Sequence, residues 1–168
     1  MNTVSVKNYQ GLAQLKLFLA LSRTHHGILD LATPCVGALL WLGNLPSAGV
    51  IGLGLATAFA GYTAVYALND LVDYRSDQEK ISHSGEWDSS KDLDAVYARH
   101  PLAQGLLSLK KGIAWTVAWT ILALVGAYLL NPVCALIFLI ASCLETTYCL
   151  LLRVTCLRRA KHPKGSLN

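Results

Sequence analysis

Apolar residues are concentrated in segments that short polar stretches separate. Each segment has, or nearly has, the length of about 20 residues with which an α-helix crosses the hydrocarbon core of a bilayer. The pattern predicts an all-α membrane protein, a bundle of transmembrane helices that forms a single domain over residues 1–168. The four predicted spans are Gly27–Leu42, Ala48–Leu68, Ile113–Leu130 and Val133–Leu152.

The connections arrange these spans as two helical hairpins, because Gly43–Ser47 and Asn131–Pro132 are short turns. A loop over residues 69–112 joins the hairpins, and its first part is predicted to continue the second span as a helix. Ile81–Lys91 is rich in Ser, Gly and charge and predicts an irregular loop. Apolar residues at helical spacing in Gly11–Ser22 predict a surface helix before the first span.

The composition places the chain in the membrane class. Hydrophobic residues make up 54% of the sequence and charged residues only 14%, with a mean hydropathy of +0.43, which is too apolar for an ordinary soluble domain. The sequence pI of about 8.8 does not indicate nucleic-acid binding, because no basic face with aromatic or groove-reading residues accompanies it. Membrane lipid, and not nucleic acid, is the expected partner of the surface.

The basic residues predict the orientation. All 14 Lys and Arg lie before the first span, between the second and third spans, or after the fourth. In a four-span topology these regions are on one side, which the positive-inside rule makes cytoplasmic. We therefore expect a multi-pass integral protein of the cell (inner) membrane, with both termini in the cytoplasm and the loop 69–112 on the same side.

An acidic pattern stands where the second span ends. Asp70, Asp73 and Asp77 are spaced i, i+3 and i+7, which places them on one helix face if the helix continues. Three like charges repel one another unless a cation lies between them, and Mg²⁺ binds through a few carboxylates together with substrate phosphate oxygens. The pattern favours Mg²⁺-assisted chemistry on a diphosphate whose remainder lies in lipid. The alternative is a solvated, acidic helix end.

The run Asn69-Asp70-x-x-Asp73-x-x-x-Asp77 resembles the first aspartate-rich motif, NDxxDxxxD, of the UbiA superfamily of intramembrane prenyltransferases, and it matches at every position. The run from Pro101 to Gly105, followed by Ser108, resembles the family loop that leads into the third helix. Arg23, followed by Pro34 and Gly37, is similar to the pattern of the first helix. Two positions depart from the family: Thr24 replaces a proline, and His100 replaces the arginine that precedes Pro-Leu.

The resemblance implies transfer of an isoprenyl group from a prenyl diphosphate to an acceptor, aromatic or other, with Mg²⁺ as cofactor. It implies that the motif residues hold Mg²⁺ with the diphosphate, namely Asn69, Asp70, Asp73 and Asp77. Arg23 and Arg75 could contact phosphate oxygens, or could anchor the chain on its positive side. No residue is assigned to the chemical step itself.

The family has about nine transmembrane helices in two similar halves, and the four spans here correspond to the first half. The second half carries another aspartate-rich motif, whereas the last Asp of this sequence is Asp94. The alternative function is therefore a truncated remnant or a small membrane module that binds a diphosphate or a partner without turnover. A homodimer is a further alternative, since two copies could present two motifs.

Overall fold

The computed structural model describes residues 11–84 and 100–161, and the regular secondary structure of these two stretches is entirely helical. This confirms the predicted all-α class for the described part of the chain. The predicted domain boundaries, 1–168, stay a prediction. In chain order the helices are α1 (Leu12–Leu21), α2 (Thr24–Asp30), α3 (Ala32–Leu42), α4 (Ala48–Ser84), α5 (Leu109–Leu130) and α6 (Pro132–Lys161).

Helix α4 is the longest and carries the aspartate-rich motif. It has 37 residues, which corresponds to a length of about 55 Å, well above the ~30 Å of a bilayer core. The prediction that the helix continues from the apolar segment through the aspartates is confirmed. The prediction of an irregular loop from Ile81 is wrong at its start, because the helix includes residues 81–84. The sequence has no Gly or Pro between Gly61 and Gly85, so no residue of these types weakens this part of the helix; residues 85–91 of the predicted loop lie outside the described residues.

Two of the described helical stretches are long and apolar enough to cross a membrane. They are Ala48–Glu79 and Leu109–Leu130, with hydropathies of 1.6 and 1.9, and only 22% of each apolar window is buried within the chain. The core helix of a soluble protein is mostly buried, so the low burial favours contact with lipid. Within the last predicted span, the apolar helical stretch Pro132–Tyr148 is shorter than these two. The four-span arrangement therefore stays a prediction.

Helices α4 and α5 form the most extensive pair of the fold. They approach closely where Gly126 of α5 faces Thr57 of α4, since a Cβ atom added to Gly126 would collide with the Thr57 side chain. The Thr57 hydroxyl donates to the carbonyl of Leu53, 2.7 Å away, so the side chain is held on its own helix. Small residues at helix contacts are typical of membrane bundles, because they let the backbones come close.

The predicted surface helix Gly11–Ser22 is observed as α1. Leu12 and Leu15 are exposed on this helix, whereas Leu17 and Leu21 are buried. The buried face contacts α5, where the indole N–H of Trp115 donates to the Ser22 hydroxyl over 2.8 Å. The C-terminal end of α1 is therefore attached to the N-terminal half of α5.

The first apolar segment is divided into α2 and α3 at Leu31. Pro34 explains the division, because a proline has no N–H to donate to the carbonyl of Asp30 four residues earlier. The hydroxyl of Tyr62 on α4 donates to that carbonyl instead, at 3.4 Å. The Tyr66 hydroxyl, one turn further along α4, donates to the Asp30 carboxylate. Both polar groups of Asp30 are thus satisfied by α4.

Candidate functional site

A tight turn before α5 brings a histidine to the aspartate-rich end of α4. The turn begins at His100, whose φ of 49° lies in the left-handed region, and Gly105 returns the chain with a φ of 70°. The carbonyl of Pro101 accepts from the backbone N–H groups of Leu106 at 2.9 Å and Leu107 at 3.2 Å. The backbone N–H of Gln104 also donates to the His100 carbonyl at 3.1 Å, so hydrogen bonds fix the conformation of the turn from His100 onwards.

The turn is anchored by an apolar cluster. Leu102 and Leu107 are buried against Leu21 of α1 and Ala67 of α4. Leu102 also lies against Gly112 in the first turn of α5, where an added Cβ would be 3.0 Å from a Leu102 methyl group. The predicted family-like loop is therefore the element that joins α1, α4 and α5 beside the motif.

His100 contacts two aspartates of the motif. Its Nδ1 atom is 2.6 Å from Oδ1 of Asp70 and 3.0 Å from Oδ2 of Asp77. One ligand atom from each of the three residues lies within 4.8 Å of the others. We call Asp70, Asp77 and His100 the His–Asp cluster. Its aspartates lie two turns apart on α4, which the i, i+7 spacing predicted.

The charge of the His–Asp cluster is not balanced by its own groups. The residues Asp70 and Asp77 are only 4% and 3% exposed. Oδ2 of Asp70 is buried, and no hydrogen-bond partner reaches it from the described part of the chain. Even with a protonated imidazole, two carboxylates leave a charge of −2 + 1 = −1. The three ligand atoms lie close enough together to hold one ion, so this donor set fits a divalent cation.

The remaining motif residues lie beside the cluster. Asp73 is exposed and Asn69 is half-buried. Asp73 is not among the three residues whose ligand atoms lie within 4.8 Å. Both residues have polar partners. The structure therefore brings together the first and third aspartates and places the second at the surface.

The two candidate phosphate contacts lie on different elements. Arg23 is half-buried and stands at the start of α2, with a φ of 43° in the left-handed region. Arg75 is exposed on α4. Within residues 11–84 and 100–161, neither forms an ion pair with the His–Asp cluster. Both arginines stay predicted diphosphate contacts.

Sequence reasoning did not assign His100 to the site. The residue is 30 positions from Asp70, and no local spacing reports a contact over that distance. The available signal was the departure from the family loop, since His100 takes the place of an arginine. A basic side chain at that position indicates an acidic partner, and the nearest motif of acids is on α4.

Comparison with known proteins is consistent with this arrangement. The family model described as the UbiA prenyltransferase family matches residues 31–160, a stretch that includes the whole motif, the His100 turn and α3 to α5. No curated protein and no solved structure gives a match. Members of the family are integral membrane proteins, in agreement with the two long apolar helices. The chain belongs to the UbiA prenyltransferase family.

Proposed function

We propose that this protein transfers an isoprenyl group from a prenyl diphosphate to an acceptor in a Mg²⁺-dependent reaction. The observation that carries the proposal is the pair of buried motif aspartates at the end of an apolar helix, in a chain of the UbiA family. Such a site is suited to an amphiphilic substrate, which has a charged diphosphate and an apolar chain. The carboxylates face the cation of a metal diphosphate, and the apolar helices accept the isoprenyl chain.

In this proposal the motif residues Asn69, Asp70, Asp73 and Asp77 hold Mg²⁺ together with the diphosphate oxygens. The bound ion supplies neutralisation of the charge that develops on the diphosphate as the C–O bond breaks. Arg23 and Arg75 contact phosphate oxygens from the cytoplasmic side.

The apolar part of α4 has a second role, because it ends directly before the motif at Asn69. Small and apolar side chains of α4 and α5 surround the isoprenyl chain and keep water from the allylic carbon. The carbon then forms its new bond with an electron-rich atom of the acceptor, which loses a proton. Diphosphate leaves with the electron pair of the broken bond.

The proposal is tested by a prenyl-transfer assay with the purified full chain in detergent, with Mg²⁺, radiolabelled prenyl diphosphates and a panel of aromatic and lipid acceptors. We expect a labelled product that EDTA abolishes. Oligomeric state is measured on the same sample, since a homodimer would bring two motifs together. Diphosphate binding without product would support the alternative of a binding module without turnover, and absence of both would contradict a diphosphate site.

We also propose the four-span topology, with the motif on the cytoplasmic side of the inner membrane. The support is the distribution of Lys and Arg, which are absent from the turns at Gly43–Ser47 and Asn131–Pro132. In this topology α2 and α3 together form the first span and α6 the last.

Reporter fusions test this topology. We expect fusions after Ser47 and Asn131 to report the outside of the membrane, and fusions after Ser84 and Lys161 to report the cytoplasm. Paired alkaline phosphatase and green fluorescent protein reporters give opposite signals at each site, so each serves as a control for the other. A cytoplasmic signal after Ser47 would contradict the four-span arrangement.

A further inference from the structure

Building on the proposed function, we propose that His100 is a metal ligand. In this view the His–Asp cluster binds one divalent cation through His100 Nδ1, Asp70 and Asp77, and prefers ions with affinity for nitrogen, such as Mn²⁺, to Mg²⁺. The proposal concerns the identity of the metal and one ligand that the aspartate-rich motif does not contain.

The geometry around Nδ1 is the first argument. A ring nitrogen carries at most one hydrogen, yet Nδ1 of His100 is within 3.0 Å of oxygens from two different aspartates. A single N–H cannot point straight at both oxygens, so one linear hydrogen bond does not account for the approach of both carboxylates to Nδ1. Ligand atoms bound at about 2.1 Å to one ion lie about 3.0 Å apart when their bonds are perpendicular. The observed separations of 2.6 and 3.0 Å need to increase only slightly to surround an ion.

The buried carboxylate oxygen is the second, independent argument. Oδ2 of Asp70 has no hydrogen-bond partner among the described residues and is shielded from water. It belongs to the carboxylate whose other oxygen contacts His100. Unpaired buried carboxylate oxygens are rare, because each loses the hydration of a charged atom. A cation between the three side chains provides the missing partner, and with a neutral imidazole its two charges balance the two carboxylates.

The mixed donor set indicates the kind of ion. Mg²⁺ prefers oxygen ligands in near-octahedral geometry and keeps several waters. Imidazole nitrogen suits first-row transition metals, whose affinity for nitrogen-containing sites rises along the series from Mn²⁺. A buried site with one imidazole and two carboxylates therefore binds Mn²⁺ more tightly than Mg²⁺.

The experiment uses the purified, EDTA-treated full chain in detergent, without any prenyl diphosphate. Mn²⁺ is added and the free ion is measured by electron paramagnetic resonance, and the bound ion is examined by pulsed spectroscopy for coupling to a histidine ¹⁵N label. We expect about one bound Mn²⁺ per chain with nitrogen coupling, displaced by Mg²⁺ only at about tenfold or greater excess. Absence of nitrogen coupling in the wild-type protein would overturn the proposal, whether or not Mn²⁺ binds.

Two histidine variants locate the ligand. H100Q should remove the nitrogen coupling and weaken Mn²⁺ binding by about tenfold or more. It should also reduce the difference between the affinities for Mn²⁺ and Mg²⁺. H25Q changes an exposed histidine of α2 and should leave all three readouts unchanged. Unchanged coupling in folded H100Q would overturn the proposal, and the wild-type spectrum remains decisive if H100Q does not fold.

The outcome is separable from that of the proposed function. Mn²⁺ binding with nitrogen coupling but no prenyl transfer would support the metal site and contradict the reaction. Prenyl transfer with Mg²⁺ but no nitrogen coupling would support the reaction and contradict His100 as a ligand.

Discussion

Replacement of Asp70 by Asn should lower the rate of prenyl transfer by about 10²–10³-fold, because one charge that holds the metal diphosphate is lost. Asn has nearly the same shape as Asp, so the buried position stays filled. Asp70 is 4% exposed, and one of its carboxylate oxygens has no hydrogen-bond partner among the described residues. The measurement is the initial rate of product formation in the prenyl-transfer assay with Mg²⁺, together with retention of the labelled prenyl diphosphate.

One further motif position and two controls complete this series. D73N should also abolish Mg²⁺-dependent retention of the diphosphate, although Asp73 is exposed, because the proposal places it on the metal. E79Q changes an exposed acid of the same helix and should keep the wild-type rate. D88N, outside the described residues, should do the same. If D70N, D73N and E79Q lost activity to the same extent, the motif would be no more than an acidic helix end.

Replacement of Gly126 by Val should strongly destabilise the bundle, because the new side chain would occupy the space of Thr57 on α4. Overpacking of this kind costs about 1–3 kcal/mol, and more when two backbones are forced apart. The expected result is a lower midpoint of thermal unfolding in detergent, with loss of activity at temperatures that the wild-type protein tolerates.

A control substitution at another glycine and a second substitution at Thr57 test whether the collision with Thr57 causes the loss of stability. An added Cβ at Gly52 of α4 meets nothing within 4 Å, so G52A should be neutral or slightly stabilising, by up to about 1 kcal/mol. The double variant of G126V with Thr57→Ala should recover part of the stability lost in G126V, because the colliding hydroxyl is removed. A stability of G126V equal to that of the wild-type protein would contradict the close approach of α4 and α5.

The sequence predicted the site best where the residues concerned lie on a single helix. The spacing of Asp70 and Asp77 predicted two carboxylates on one face, and the uninterrupted helix α4 places them together. The same spacing could not show that Asp73 would be more exposed than its neighbours. That difference depends on which side of α4 the His100 turn and α5 cover, and this is tertiary information.

Contacts between distant segments were the part that sequence patterns did not reveal. His100 reaches Asp70 because Leu102 and Leu107 enter an apolar cluster with α1 and α4, and no periodicity encodes that packing. The division of the first apolar segment had a local cause, Pro34, which weakens a helix but does not always break it. The partner that stabilises the break, Tyr62, is 32 residues away from Asp30.

The tyrosines that bind Asp30 bear on the order of membrane insertion. Synthesis delivers Asp30 before Tyr62 and Tyr66, so the first segment leaves the ribosome with a carboxylate and a carbonyl that lack their donors. Transfer of either unpaired group into hydrocarbon is unfavourable in free energy. Helix α4, by contrast, is long and apolar enough to insert by itself. A translocon would therefore retain the first segment until α4 arrives. In the proposed four-span topology, the unit that the bilayer accepts is therefore the hairpin of the first segment and α4.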